Sequence, residues 1–202
     1  NVCSSDLSFE LDFSYALGRT SRFRVNVFRD KGNVAAAFRT IPTKIPTLAD
    51  LNLPGVVERL THITRGLILV TGPTGSGKST TLYTFLASLN SKDRRIVTIE
   101  DSYELGLERF EHLHPDHDCL QARPPNSEGE GEVTLSDLTR MALRMDPDRV
   151  IVGEVRGAEA FPMLLAMSQG NNGSMCTMHA DSARSVFPKL AAYMSMAASG
   201  VP

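Results

Sequence analysis

The stretch GLILVTGPTGSGKSTTLYTFL, Gly66 to Leu86, carries three signals in succession. An uninterrupted apolar run, Gly66 to Val70, reads as a strand buried on both faces of a parallel sheet. It feeds Gly-x-x-x-x-Gly-Lys-Ser, Gly72 to Ser79, the spacing of a phosphate-binding loop. In such a loop Gly72, Gly75 and Gly77 let backbone amides turn inward around a phosphate, where side chains would obstruct them. Pro73, Thr74, Ser76 and Thr80 complete the cradle, Lys78 brings a point charge to the β- and γ-phosphates, and the Ser79 hydroxyl faces Mg²⁺. The apolar positions Leu82, Phe85, Leu86 and Leu89 predict a helix from Gly77 to about Asn90, whose amino end adds its dipole to the same ligand. A strand, this loop and a helix in that order imply a nucleoside triphosphate with magnesium.

Working outward, further apolar runs follow at RRIVTIE (94–100), DRVIVGE (148–154) and GSMCTMHA (173–180), each read as a strand. Thr134 stands three residues before Asp137, the spacing of a helix cap, and Leu135, Leu138, Ala142 and Met145 predict a helix that ends at Asp146-Pro147-Asp148. Strands alternating with helices predict an α/β fold of three layers. Residues 114–132, HPDHDCLQARPPNSEGEGE, read as a long polar insert. On the other side of the loop the rhythm differs. FELDFSY, SRFRVNVF and NVAAAFRTI alternate apolar and polar residues with RDKGN as a turn, the pattern of antiparallel strands. Pro42, Pro46 and Pro54 then mark a linker leading to a short helix, Gly55 to Thr61. The expected organisation is a strand-rich module over 1–41, a linker over 42–61 and an ATPase-type domain over 62–202.

Composition bounds the function. With 202 residues, 42% hydrophobic and 22% charged, the chain is globular. Lys and Arg number 21 against 23 acids, so nothing in the net charge of −2 invites a nucleic-acid backbone. Cys3, Cys119 and Cys176 are odd in number and far apart, which fits a reducing compartment and offers no zinc clasp. No apolar run is of spanning length, so the expectation is a cytoplasmic protein that meets a membrane through partners. The chain opens without Met and stops at AASGVP, which reads as a fragment of something longer.

Four acids and a histidine end the strands where α/β sheets bind their ligands. Glu100, Asp101 and Glu104 follow the strand at 94–100 and would hold the magnesium shell or polarise a water; the alternative for Asp101 and Glu104 is a solvated loop acid. Glu154 follows the strand at 148–154 and would reach magnesium directly or through water, because an acid after a buried apolar strand needs a cationic partner. His179 stands at the same edge, placed to sense a γ-phosphate or to serve structure.

Taken in order, GPTGSGKSTT, TIEDSYE, VIVGEVRG and TMHAD resemble the Walker A, Asp box, Walker B and His box of the type II/type IV secretion and pilus motor ATPases. The first half, from RFRVNVF through FRTIPTK to the phosphate loop, is similar to the pilus retraction ATPases. Residues 122–160 are similar to Tad-type secretion ATPases, especially actinobacterial ones. The resemblance implies a RecA-like ATPase domain and a partial N-terminal domain, assembled into a hexameric ring that uses ATP and Mg²⁺. It implies an inner-membrane platform protein as partner and no nucleic acid. It makes Glu104 the general base, Glu154 the Walker B acid, with Glu100 and Ser79 near the metal, and His179 the second His-box histidine. Arg22, Arg24 and Arg39 match N-terminal arginines that reach a γ-phosphate. One departure is Asn171-Asn172 where the first His-box histidine is expected. The first half of the N-terminal domain, the C-terminal helices and the four-cysteine zinc module are also not recognised.

EHLHPDHDC, Glu111 to Cys119, imitates a zinc site, but His112, His114 and His117 lack a paired second half, and a solvated variable loop is expected instead. Two rival functions remain: a nucleic-acid translocase, which should show a basic pore, and a nucleotide-sensing scaffold, whose ATP turnover would not depend on Glu104.

Overall fold

The computed structural model describes residues 11–18, 21–42, 46–60, 62–63, 68–72, 76–89, 92–126 and 128–199. The chain divides into two compact units, one of residues 1–44 with Ser102–Glu104, the other of 45–101 with 105–202.

The first unit is an antiparallel meander of β1 (Leu11–Leu17), β2 (Ser21–Asp30) and β3 (Asn33–Ile41). Its second hairpin turns on Lys31 and Gly32, with φ of 50° and 83°, between paired Asp30 and Asn33. Two positive φ values give the turn whose twist matches the strands it joins, and Gly32 adopts one at no steric cost. Alternation sorts the faces: Phe23, Val25 and Phe38 lie together, the two rings edge to face at 6.3 Å, with Val25 buried. On the opposite face Arg22 and Arg24 follow each other at the strand period, and Arg39 is directly across from Arg24.

The second unit holds a parallel sheet in the order β5-β4-β6-β7, built from β4 (Ile96–Glu100), β5 (His117–Gln121), β6 (Arg149–Val152) and β7 (Met175–Cys176). Around it run α1 (Gly55–Leu60), α2 (Lys78–Ser88), α3 (Leu135–Ala142), α4 (Ala160–Ser168) and α5 (Ala183–Ser199). Strand β4 pairs on both edges, and all five of its residues are buried, which is why its sequence shows no polar alternation. Val97, Ile99, Val150 and Val152 pack on one side with Leu135, Leu138 and Ala142 of α3 and with Met163 and Ala166 of α4. Ile96 and Ile151 pack on the other with Leu82 and Leu86 of α2 and with Leu105 and Leu107. Helices on both faces make the expected three-layer α/β fold. The capping box is present, with the Thr134 hydroxyl accepting from the Asp137 amide at 3.1 Å and the Asp137 carboxylate from the Thr134 amide at 3.2 Å.

Two expectations need correction. The first concerns the run at 66–70, of which Ile68, Leu69 and Val70 are described: they form no strand, and their exposure is 43, 36 and 49%. The described ladder, β5-β4-β6-β7, does not include these residues. A short apolar run specifies hydrophobicity but neither period nor register. The second concerns the polar insert, which is no solvated loop at its start: His117–Gln121 forms β5 beside β4, and His114 is fully buried. An edge strand is only half covered, so it tolerates the polar residues that disguised it. Pro124 and Pro125 follow it closely, where no further ladder donor is needed. No helix among the described residues is long and apolar enough to cross a membrane.

Candidate nucleotide site

Of the phosphate loop, Gly72, Ser76 and Gly77 are described, while Pro73, Thr74 and Gly75 lie outside the described residues. A Cβ on Gly72 would stand 2.4 Å from the Ser76 hydroxyl oxygen, so a side chain there would force Ser76 to move. Gly77 has φ 88°, the left-handed region, and caps α2 without using a side chain. The amino end of α2 thus has no side-chain cap, and helix starts are where anions meet backbone amides. Lys78 Nζ donates to the Gly72 carbonyl at 2.7 Å, holding the ammonium across the loop. Ser79 is exposed on the same turn, and the Thr80 carbonyl accepts from Thr84, which anchors α2 to Pro46 through the same hydroxyl at 2.9 Å. A left-handed glycine, a helix start without a side-chain cap and a lysine in one loop fit a polyphosphate.

Glu100 ends β4 with 4% exposure, and its Oε1 accepts the Leu105 amide at 2.9 Å. Next to it Gly153 extends β6, donating to the Ile99 carbonyl at 2.8 Å. A Cβ on Gly153 would be 3.2 Å from Glu100 Cγ, so the glycine makes room for the buried acid. Glu154 follows, with its Oε1 2.8 Å from His179 Nε2 and its Oε2 3.9 Å from Arg156 Nε. The strand-end geometry that brings them together is fixed by the Val155 amide on the Thr177 carbonyl (2.8 Å) and the Thr177 hydroxyl on the Gly153 carbonyl (2.6 Å). Glu154 therefore has a histidine within hydrogen-bond distance and a guanidinium at 3.9 Å, partners that a partly buried carboxylate demands.

Glu104 belongs to the other compact unit. There it accepts from Arg24 Nη1 at 3.1 Å, and Arg22 Nη2 donates to the Tyr103 carbonyl at 2.9 Å. Arg39 is exposed. Asn171 stands apart from the acids: its amide donates to the Pro147 carbonyl, and its own carbonyl accepts from the Ser174 hydroxyl at 2.8 Å. Ser174 in turn accepts the Val150 amide at 3.0 Å. Asn171 thus pins the turn at the amino ends of β6 and β7, whereas Glu154 and His179 follow their carboxyl ends. His114 Nε2 lies 2.8 Å from the Leu86 carbonyl, and burial holds its pKa below the ordinary histidine value. The described residues contain no group of three or more His, Cys, Asp or Glu side chains that could hold a metal by themselves.

Sequence reasoning missed two features. Asp101, read among the loop acids, is held by the Arg156 guanidinium, and buried Glu159 accepts the Arg156 and Gly157 amides. The acid at the start of an apolar helix was the available signal for Glu159.

The family model for "Type II/IV secretion system protein" matches residues 47–199. This chain belongs to that family. The type IV pilus retraction ATPase PilT of Pseudomonas aeruginosa is 40% identical over 176 residues, 86% of this chain and 48% of that protein. A putative conjugal transfer protein of Mycobacterium tuberculosis is 42% identical over 153 residues, 76% of this chain and 39% of that protein. The crystal structure of the pilus retraction motor PilT with bound ADP superposes with a TM-score of 0.67 at 36% identity, covering 90% of this chain and 50% of that one. The chain thus spans about half the length, or less, of these relatives.

Proposed function

We propose that this chain is the nucleotide-binding part of an ATP-hydrolysing motor subunit in a bacterial secretion or type IV pilus-like assembly system. One observation carries the reading: the Walker B acid Glu154 and His179 meet at 2.8 Å beyond neighbouring parallel strands, in a compact unit that also carries the phosphate loop. The similarity to PilT, whose structure holds ADP, supports the nucleotide.

The loop from Gly72 to Thr80 would hold the phosphates through its amides, and Lys78 would exchange the Gly72 carbonyl for phosphate oxygens. Ser79 and Glu154 would hold Mg²⁺, with Glu100 bracing Glu154 from behind Gly153. The metal would neutralise charge on the β- and γ-phosphates when bound. Glu104 would accept the proton of the attacking water, which requires that its carboxylate first part from Arg24. His179, held on Glu154, would report the state of the γ-phosphate to β7. Arg22, Arg24 and Arg39 would stabilise charge on the transferred phosphoryl group, a contribution of about 10³–10⁵ in rate for such an arginine. In this reading the working form is a homo-oligomeric ring, a hexamer, in the cytoplasm on an inner-membrane platform protein.

The test compares two acids in the full-length protein. Glu104→Gln should bind Mg·ATP as the parent does and lose turnover, because an amide accepts no proton. Glu154→Gln should in addition raise the magnesium concentration needed for activity. Parental turnover by Glu104→Gln would remove Glu104 as the base and favour a sensing scaffold.

A further inference from the structure

Glu159 is 6% exposed and lies one residue before α4. A carboxylate in that position is costly unless hydrogen-bonded. Its Oε1 accepts two successive backbone amides, those of Arg156 and of Gly157, the latter at 2.8 Å. The side chain therefore closes the turn that carries Glu154 and Arg156 away from β6. From that turn the Arg156 guanidinium contacts the Asp101 carboxylate and lies 3.9 Å from Glu154. Asp101 immediately follows β4, so one arginine joins the loops that leave two adjacent strands.

We propose that Glu159 is a positioning residue for the nucleotide site: it fixes the Glu154–Gly157 turn and, through Arg156, ties that turn to the Asp101 loop. The proposal rests on the functional reading above for its consequence in turnover, but not for its structural content. The clamp requires an acceptor oxygen and not a negative charge. Glutamine at this position keeps such an oxygen; alanine removes it. Two backbone amides share this one acceptor, so loss of both hydrogen bonds should be visible in amide protection. Misplacement of the acids by a fraction of an ångström to one ångström lowers catalysis by up to about 10²-fold.

The experiment uses the full-length protein, with hydrogen–deuterium exchange on peptides covering residues 150–161 and 100–106 and steady-state ATP turnover in parallel. Glu159→Ala should quicken exchange in both peptides, by about tenfold or more in the first, and lower kcat while KM barely moves. Glu159→Gln should restore both readouts close to the parent. Arg156→Gln should quicken exchange in residues 100–106 alone. Should Glu159→Ala fail to fold, the other two variants still decide the matter. Unchanged exchange at 150–161 in Glu159→Ala, or a Glu159→Gln protein quickened in exchange as alanine would be, overturns the clamp. A parent that hydrolyses no ATP removes the proposed function, while the exchange result still decides the clamp.

Discussion

Under the proposed function, Lys78 rests on a stand-in for its ligand. Its ammonium is satisfied by the Gly72 carbonyl at 2.7 Å, a neutral acceptor that a phosphate oxygen would outcompete by charge. Lys78→Ala should therefore abolish ATP binding in a calorimetric titration and leave the melting midpoint near the parent's; undiminished affinity would contradict the assignment. His114 is the opposite case, a residue whose sequence neighbourhood imitates a metal site and whose side chain serves the core. Desolvation lowers its pKa, and the charges of His117, Arg149 and His112 lower it further. The folded state then binds fewer protons than the unfolded one below the ordinary value of about 6.5, so this contribution to stability is present above that pH and is lost as pH falls. Melting midpoints measured from pH 7.5 to 5.5 should fall less steeply in His114→Gln than in the parent. Parallel pH profiles would show that His114 titrates without consequence. The proposed phosphate loop and Glu154 stand out in the sequence because the chemistry proposed for them follows from local spacing. Glu159 was not, because its role depends on where a turn three residues earlier aims its amides.

At the scale of elements, α3 and β5 show what sequence does and does not record. The α3 boundary is written in two side chains, Thr134 and Asp137, which cap each other's backbone, and the hydrogen bonds from Thr134 hold the Asp137 carboxyl below its ordinary pKa. Thr134→Ala removes one half of that box, at a cost of about 1 kcal/mol. A cooperative melt should move down by about 2–4 °C, the response of a unit of this size. An unchanged midpoint would mean the helix start is held by packing alone. Strand β5 left a weaker trace because His117 to Gln121 is polar at an edge, and only its pairing with β4 makes it a strand. The run Ile68–Val70 errs in the other direction, apolar enough for an interior strand yet outside any strand and exposed.

For the whole molecule the question is whether hydrolysis is a property of one chain or of several acting together. A net charge of −2 carries no global excess of positive charge. Under the proposed function, the arginines on the first unit's sheet provide the relevant chemistry. Arg24 and Arg39 are cross-strand partners, two like charges side by side, and such a pair is retained at a cost that an anion between or beside it relieves. Glu104 now meets part of that need at Arg24. Under the proposed function a γ-phosphate would meet it during turnover, and only in an assembled ring would the subunits depend on one another. The direct measurement is ATP turnover of full-length parent protein mixed with increasing fractions of Arg39→Ala, with nucleotide binding measured alongside. The account predicts normal binding by the variant, much slower hydrolysis, and a loss on mixing steeper than the fraction of variant added. A strictly proportional loss would contradict it, because subunits that hydrolyse independently are not a coupled motor.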